Sequence, residues 1–337
     1  MKFGIGFKLS VLLASFGLLA MGIVGYYSYA SSRTTLVQAA QRDLLTASQV
    51  LGQNYQTSVD DVGNDALLLA AVPAARAAMG SGRTDGARQD LNALADTFEA
   101  MLKIHPEYFQ IRLIRADQHG LEVVRVDRDG SGLTRVEGLD LQEKAHYPYV
   151  FKALRLKRGQ VYLSDITINH ELGAHAGLLK PTLRVAAPVF TDTQHATAVV
   201  VINIDLNRMF AKLKADLPAS YQVYLTNQWG DYLVHPDAAQ TFGFDQGRRI
   251  LVQEAFEPVT TLISGTSNHV VTNLQLPAWS PGGEVAAFLR LPFGGVGEGR
   301  FVVLGLSQPI AELVRETTRV AWNTVQVILV LGGIAVL

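Results

Sequence analysis

One cation, Arg184, stands within the otherwise apolar segment PTLRVAAPV. A buried arginine is costly unless it is paired, and a guanidinium group can bind a carboxylate through two parallel hydrogen bonds. We therefore expect Arg184 to anchor a small anionic ligand. The alternative is an internal ion pair with Asp165 that fixes the fold and leaves no site.

Several polar residues precede a long polar loop at residues 167–180 and could surround such a ligand. Tyr162, Ser164 and Asp165 come from the segment just before this loop, and Tyr149 lies on a predicted short helix ahead of them. We expect these side chains to line one face of a sheet, with the loop as a lid over it. Together with the arginine they form the predicted ligand-binding set.

A later segment, FLRLPFGGVGEG, repeats the pattern around Arg290 but carries only a short glycine-rich turn. Because this second copy has no comparable loop, we place binding beside Arg184 instead. Arg112 and Arg125 alternate with apolar neighbours in the hairpin IRLIRADQHGLEVVRV. They are predicted to be solvated or paired across that hairpin.

Two histidine-containing stretches suggest metal or catalytic chemistry. In GDYLVHPD, Asp231, His235 and Asp237 would share one face of a strand, yet the pattern favours a sheet hairpin with a polar exit loop. In NHELGAH, His170 and His175 lie five positions apart, about 140° from each other on a helix, whereas zinc-binding helices place them four apart. We therefore predict no metal, no cofactor and no catalytic residue.

Composition excludes several further classes of protein. The chain has no cysteine, which rules out disulfides, zinc–thiolate sites and cysteine nucleophiles. The formal net charge is −1, and it becomes −3 when Lys2 and Lys8, which precede an apolar run, are set aside. Nucleic-acid-binding domains present a basic face. The sequence therefore predicts no nucleic-acid partner.

Long uncharged runs stand at both ends of the sequence. Residues 9–30 are uncharged over 22 positions, enough for a helix to cross a bilayer core of about 30 Å; a cleaved signal peptide would have a shorter apolar core. Lys2 and Lys8 predict a cytoplasmic N-terminus. Residues 320–337 are also uncharged, as in a fragment that stops inside a second membrane helix. We expect residues 31–319 to lie outside the cytoplasm.

Apolar residues at positions 37–69 recur at steps of three, four or seven. This period predicts an amphipathic helix that continues out of the first uncharged run and ends before Pro73. At 1.5 Å per residue it would be about 50 Å long. We expect it to form a stalk that packs on a second copy of the chain, with Leu44 and Leu51 in the contact. Packing on its own domain is the alternative, and the two kinds of contact are compatible at different positions along the helix.

Beyond a second predicted helix at residues 86–104, the pattern changes to hairpins. A strand–turn–strand unit and a later strand–turn–strand–helix unit occur twice, as a degenerate repeat of about 110 residues that is too long for a solenoid. The predicted fold class is α/β of the α+β type, with two tandem antiparallel-sheet modules. The predicted segments are 1–30, 31–105, 106–215, 216–319 and 320–337.

This order of segments resembles the double Cache (PDC, PAS-like) sensor region of bacterial transmembrane receptors. The phrases YFQIRLIRADQHGLEVVRVDR, VVVINIDL and GDYLVHPDAAQTFGFDQG are similar to the sensory domain of two-component sensor histidine kinases. The resemblance covers nearly the whole chain. It implies a dimeric periplasmic sensor whose membrane-distal module is residues 106–215 and whose membrane-proximal module is residues 216–319.

The resemblance leaves the partner and the output open. It implies a small-molecule ligand or a periplasmic binding protein, but the aromatic-rich pattern of amino-acid-binding Cache domains is not evident. The output is expected to be a histidine kinase, with a methyl-accepting chemoreceptor or a cyclic-di-GMP enzyme as alternatives. Two functions of other classes are a periplasmic membrane-anchored enzyme, disfavoured because no catalytic pattern is present, and a structural module without ligand.

Overall fold

The computed structural model describes residues 5–79, 85–130, 132–169, 180–191, 195–273, 283–295 and 298–336. Two antiparallel sheets pack against one long N-terminal helix, and a second long helix leaves the second sheet. The α+β class predicted from the hairpins and the helical period is confirmed.

The N-terminal part of the chain forms three helices: α1, Ile5–Ala71; α2, Pro73–Ala77; and α3, Asp85–Ile104. Helix α1 ends as predicted, because proline lacks the backbone N–H that a continuing helix needs. Pro73 instead occupies the first turn of α2, where that donor has no partner in any case. Helix α3 is amphipathic and buries Phe98 completely.

The apolar stripe of α1 packs on the chain's own sheets. Leu44 and Leu51 are 0% and 1% exposed, and the hydroxyl of Ser48 donates to the carbonyl oxygen of Ala287 at 3.4 Å. The predicted contact of Leu44 and Leu51 with a second copy is therefore wrong, because this chain already covers both side chains. The helical period identified the buried face of α1 but not the surface that buries it.

In the described residues the first sheet has seven strands: β1, Tyr108–Arg115; β2, Glu122–Asp129; β3, Gly132–Val136; β4, Tyr162–Leu163; β5, Thr167–Ile168; β6, Pro181–Phe190; and β7, Ala196–Asp205. Their order is β3-β2-β1-β7-β6-β4, and β5 also pairs with β6. Strands β4 and β5 both pair with β6 and are separated by a break at residues 164–166. The break begins at Ser164, whose hydroxyl accepts from the backbone N–H of Arg184.

The second sheet, over the same described ranges, has five strands: β8, Gln222–Thr226; β9, Tyr232–Val234; β10, His269–Asn273; β11, Glu284–Pro292; and β12, Phe301–Pro309. Their order is β10-β11-β12-β8-β9. Read in the opposite direction, this order is β9-β8-β12-β11-β10. It corresponds strand by strand to β2-β1-β7-β6-β4 of the first sheet, as expected for a repeat. The sheets lie within residues 106–215 and 216–319, and those module limits stay a prediction.

The described residues after β3 contain five more α-helices: α4, Pro148–Phe151; α5, Leu206–Leu213; α6, Val252–Ala255; α7, Thr260–Ile263; and α8, Ile310–Val336. Asp205 caps α5 by accepting from the backbone N–H groups of Asn207 and Arg208. Helix α8 follows β12 without an intervening residue. Within the described residues, no helix combines the length and apolar character required to span a bilayer.

Candidate functional site

One cavity of about 270 Å³ brings together all five residues of the predicted ligand-binding set. It is lined by Tyr147, Pro148, Tyr149, Lys152, Tyr162, Ser164, Asp165, Thr167, Ile168 and Arg184. We call it the first-sheet cavity. Most of the predicted lid, residues 170–179, lies outside the described residues.

Arg184 is fixed at the wall of this cavity. It lies in β6 with 7% of its surface exposed. Its Nη2 donates to Oδ1 of Asn169 at 2.9 Å, and its Nη1 lies 3.4 Å from Oγ1 of Thr167. These contacts orient a guanidinium group beside an open volume, an arrangement that can bind an anionic group of a ligand.

Tyr149 lies between two guanidinium groups. Its ring centroid is 5.2 Å from Cζ of Arg112 and 5.6 Å from Cζ of Arg184, both within the range of about 6 Å over which a cation attracts an aromatic ring. The ring of Tyr147 stacks on it with centroids 5.3 Å apart. Helix α4 is only four residues long. Aromatic and cation contacts therefore hold Tyr149 in the cavity wall.

A buried network of charged side chains packs behind Tyr149 in the cavity wall. Arg112 is fully buried, and its guanidinium donates to Glu122 and to Oδ1 of Asn203, both at 3.1 Å. Glu122 also pairs with Arg125 at 3.4 Å, and Arg125 pairs with Asp127 at 2.7 Å. Both arginines thus pair within the hairpin, one of the two predicted outcomes. The network fixes the guanidinium on which Tyr149 rests.

Ser164 and Tyr162 have different roles in the cavity. The Ser164 hydroxyl accepts from the backbone N–H of Arg184 at 3.0 Å and donates to the carbonyl oxygen of Asp165 at 2.7 Å, so it shapes the wall. Burial raises the pKa of Tyr162 above its ordinary value. Nζ of Lys152 lies 5.4 Å from the Tyr162 ring and adds a second cation to the lining.

Asp165 turns towards the second sheet. Its Oδ1 accepts from Nη1 of Arg300 at 2.9 Å. In the described contacts Asp165 therefore pairs with Arg300, and the alternative in which it neutralises Arg184 is wrong. Arg300 compensates the carboxylate, and Arg184 and Lys152 are the cationic residues among the described lining residues.

The matching face of the second sheet is filled by the chain itself. The ring of Phe256 packs 4.9 Å from Phe288 and 5.7 Å from Tyr224, beneath α6 and α7. Arg290 occupies the position equivalent to the cavity arginine, but its guanidinium carbon lies 3.9 Å from the ring centroid of Phe301. The two sheets share a topology, and the first has the open face.

The stretch GDYLVHPD is a hairpin end. Asp231 accepts two hydrogen bonds from Arg249, at 2.8 and 2.7 Å, and Nδ1 of His235 accepts from the backbone N–H of Asp237 at 2.9 Å. Across the part of the chain that the structure describes, no group of three or more histidine, cysteine or acidic side chains could hold a metal ion. The stretch NHELGAH lies outside that part from its first histidine onward.

Family comparison identifies the class of protein to which this cavity belongs. The family model for the bacterial histidine kinase sensor domain matches residues 84–253, half of the chain. The chain belongs to the bacterial histidine kinase sensor domain family. The matched residues contain the whole first sheet and its cavity. The resemblance and the sensory function predicted from the sequence are confirmed, and the chain is the sensing region of a signalling receptor.

Solved structures of sensor domains share the fold at low sequence identity. The extracellular domain of the histidine kinase vpHK1S-Z8 is 18% identical, with a TM-score of 0.67 over 85% of this chain and 96% of that one. A domain of a sensory box/GGDEF family protein from Vibrio parahaemolyticus is 18% identical, with a TM-score of 0.65 over 82% and 99%. The sensory domain of the Campylobacter jejuni chemoreceptor Tlp3, solved with isoleucine bound, is 9% identical, with a TM-score of 0.52 over 84% and 98%. No curated protein sequence matches the chain.

Tyr147 and Lys152 of the cavity lining were not predicted from the sequence, and neither was Arg300, which contacts the cavity wall. Lys152 shares a short segment with Tyr149, and a cation so close to a candidate aromatic residue was a usable signal. Arg300 was overlooked because its glycine-rich hairpin was taken as a plain turn. The neighbouring opposite charges, Glu298 and Arg300, were the available sign that this hairpin holds a specific contact.

Proposed function

We propose that this chain senses a small carboxylate in the first-sheet cavity. The observation that carries the proposal is a volume of about 270 Å³ beside the fixed guanidinium of Arg184. Lys152 contributes a second positive charge, and three tyrosine rings offer apolar surface for the carbon skeleton of the ligand. The surface has the mixed character of small-molecule sites, with a few polar groups that set orientation.

The charge balance of the cavity favours carboxylates without an ammonium group. An α-amino acid, such as the isoleucine bound to the Tlp3 sensory domain, also needs a partner for its ammonium. Among the lining residues that the structure describes, Asp165 is the acidic one, and it pairs with Arg300. A simple carboxylate would use Arg184 and Lys152 without competing for Asp165.

Acetate, lactate, succinate and L-isoleucine form a suitable panel, screened by thermal shift and titrated by calorimetry. Arg184→Ala should weaken binding of the best carboxylate at least tenfold, because a hydrogen bond to a charged group contributes about 1.5–3 kcal/mol and about 1.4 kcal/mol corresponds to tenfold. Arg290→Ala, the equivalent change in the second sheet, should leave affinity unchanged. Equal affinity of the parent and Arg184→Ala would place the anchor elsewhere.

We further propose the receptor context for this sensor. The uncharged runs at residues 9–30 and 320–337 support two membrane helices, with residues 31–319 in the periplasm of a bacterial inner-membrane homodimer. The hydroxyls of Tyr29 and Thr318 lie 3.4 Å apart, which sets the two long helices side by side. Residues 106–215 would form the membrane-distal module, and the output would be a histidine kinase, with a chemoreceptor or cyclic-di-GMP enzyme as alternatives.

A further inference from the structure

Arg300 belongs to the hairpin between β11 and β12, yet its side chain reaches the wall of the first-sheet cavity. Its Nη1 donates to Oδ1 of Asp165 at 2.9 Å, and its Nη2 donates to the carbonyl oxygen of Leu163 at 2.5 Å. Leu163 is the last residue of β4, and Asp165 lies in the segment that connects β4 to β5. Only 16% of the Arg300 side chain is exposed, so the guanidinium side of this contact is largely buried.

The glycine-rich hairpin is built around this guanidinium group. Glu298 accepts from Nε and Nη2 of Arg300 at 2.8 and 2.6 Å, and from the backbone N–H of Gly295 at 3.3 Å. Gly294 has φ +98, and a Cβ there would come within 2.7 Å of Nη2 of Arg300. The ring centroid of Phe293 lies 5.3 Å from the guanidinium carbon. These contacts within the hairpin fix the orientation of the Arg300 side chain independently of its contacts with the first sheet.

The wall segment that Arg300 contacts separates two open volumes. Asp165 and Thr167 line the first-sheet cavity on one side. On the other side they line a cavity of about 160 Å³ at the junction of the two sheets, together with Arg300 and Trp229. With space on both sides, these two residues are placed by specific polar contacts more than by close packing.

We propose that Arg300 is a positioning residue of the first-sheet cavity and ties its wall to the second sheet. This contact is connected to the second long helix through a single strand. Arg300 immediately precedes the nine-residue strand β12, and α8 begins at the residue after β12. The Asp165 side chain is 68% exposed, and exposed ion pairs contribute little to global stability. Loss of the contact should therefore release the wall locally and leave the fold intact.

Hydrogen exchange of the full chain without ligand tests the positioning role. Arg300→Ala should speed exchange of amides in residues 162–168 about fivefold while the melting temperature changes little. Arg300→Lys should be intermediate, since lysine keeps the charge but not the guanidinium fork. Arg249→Ala, which removes another arginine–aspartate pair within the second sheet, is the matched control and should leave this segment unchanged. Unchanged exchange in Arg300→Ala would overturn the proposal.

The reverse variant tests whether the tie acts in both directions. Asp165→Ala removes the wall side of the contact and should speed exchange in residues 293–303 of the second sheet. Exchange confined to the first sheet would show that the two sheets are not tied at this point. The ligand role of the cavity rests on the function proposed above, and it fails separately if none of the four named panel compounds binds the parent chain. Neither exchange measurement depends on that outcome.

Discussion

At the scale of single residues, the buried charges beneath the first-sheet cavity are the most sensitive positions. Glu122→Gln would leave Arg112 and Arg125 without one of their carboxylate partners in an enclosed site. Because an unpaired buried charge is strongly destabilising, we expect a loss of about 3–5 kcal/mol in the free energy of unfolding. Urea denaturation measures it.

The control for that variant is an arginine whose pair is exposed. Arg115 binds Asp117, whose side chain is 61% exposed, so Arg115→Gln should cost no more than about 1 kcal/mol. Similar losses for Glu122→Gln and Arg115→Gln would show that burial does not set the strength of these pairs.

Asp231 gives the hairpin end a predictable dependence on pH. Burial acts to raise the pKa of Asp231, but the hydrogen bonds from Arg249 and Asn227 outweigh it, and the net pKa lies below its ordinary value of 3.8. A lowered folded-state pKa means that the stabilisation is complete above about 3.8 and disappears as pH falls through the folded value. The stability difference between the parent and Asp231→Asn should hold from pH 7 to 5 and shrink below about pH 4. A difference already shrinking at pH 6 would contradict this assignment.

At the scale of elements, adjacent residues of α1 should respond very differently to the same change. Leu51 is 1% exposed and Val50 is 56% exposed. Leu51→Ala should lower the free energy of unfolding by about 2–5 kcal/mol, because a buried leucine leaves a cavity. Val50→Ala should stay within about 0.5 kcal/mol. If the two variants unfold alike in urea, α1 does not pack on the sheets as described.

Helices and hairpins were predictable here, whereas their partners were not. A period near 3.6 and Pro73 were enough to predict α1 and its end, and alternation predicted the hairpin of β1 and β2. Neither pattern shows which surface covers a stripe, so Leu44 and Leu51 were assigned to a second copy of the chain. The pairing of β4 with β6 brings Tyr162 beside Arg184, as expected. The pair of Asp165 with Arg300 joins positions 135 apart, and the charges near Arg300 gave no sign of which residue would be its partner.

At the scale of the whole molecule, the proposed topology predicts where introduced thiols react. The chain has no cysteine, so one new cysteine is unique. Lys103, whose side chain is 70% exposed, should react as Lys103→Cys with an impermeant reagent in intact spheroplasts. Lys2→Cys should react only after lysis. If Lys103→Cys reacts only in lysed cells, residues 31–319 do not lie in the periplasm and the proposed topology is wrong.

The packing of α1 across both sheets also has a consequence for biosynthesis. Ser48 contacts Ala287, which lies 239 positions later in the chain. Ribosomes add about 5–20 residues per second, so the stripe on α1 waits roughly 10–50 s for strand β11 to be made. During that interval the part of α1 around Ser48 lacks strand β11, and apolar segments left exposed in this way aggregate readily. Helix α1 is translated before both sheets but completes its packing only when the second sheet forms, and we expect holding chaperones to bind it while the rest of the protein is made.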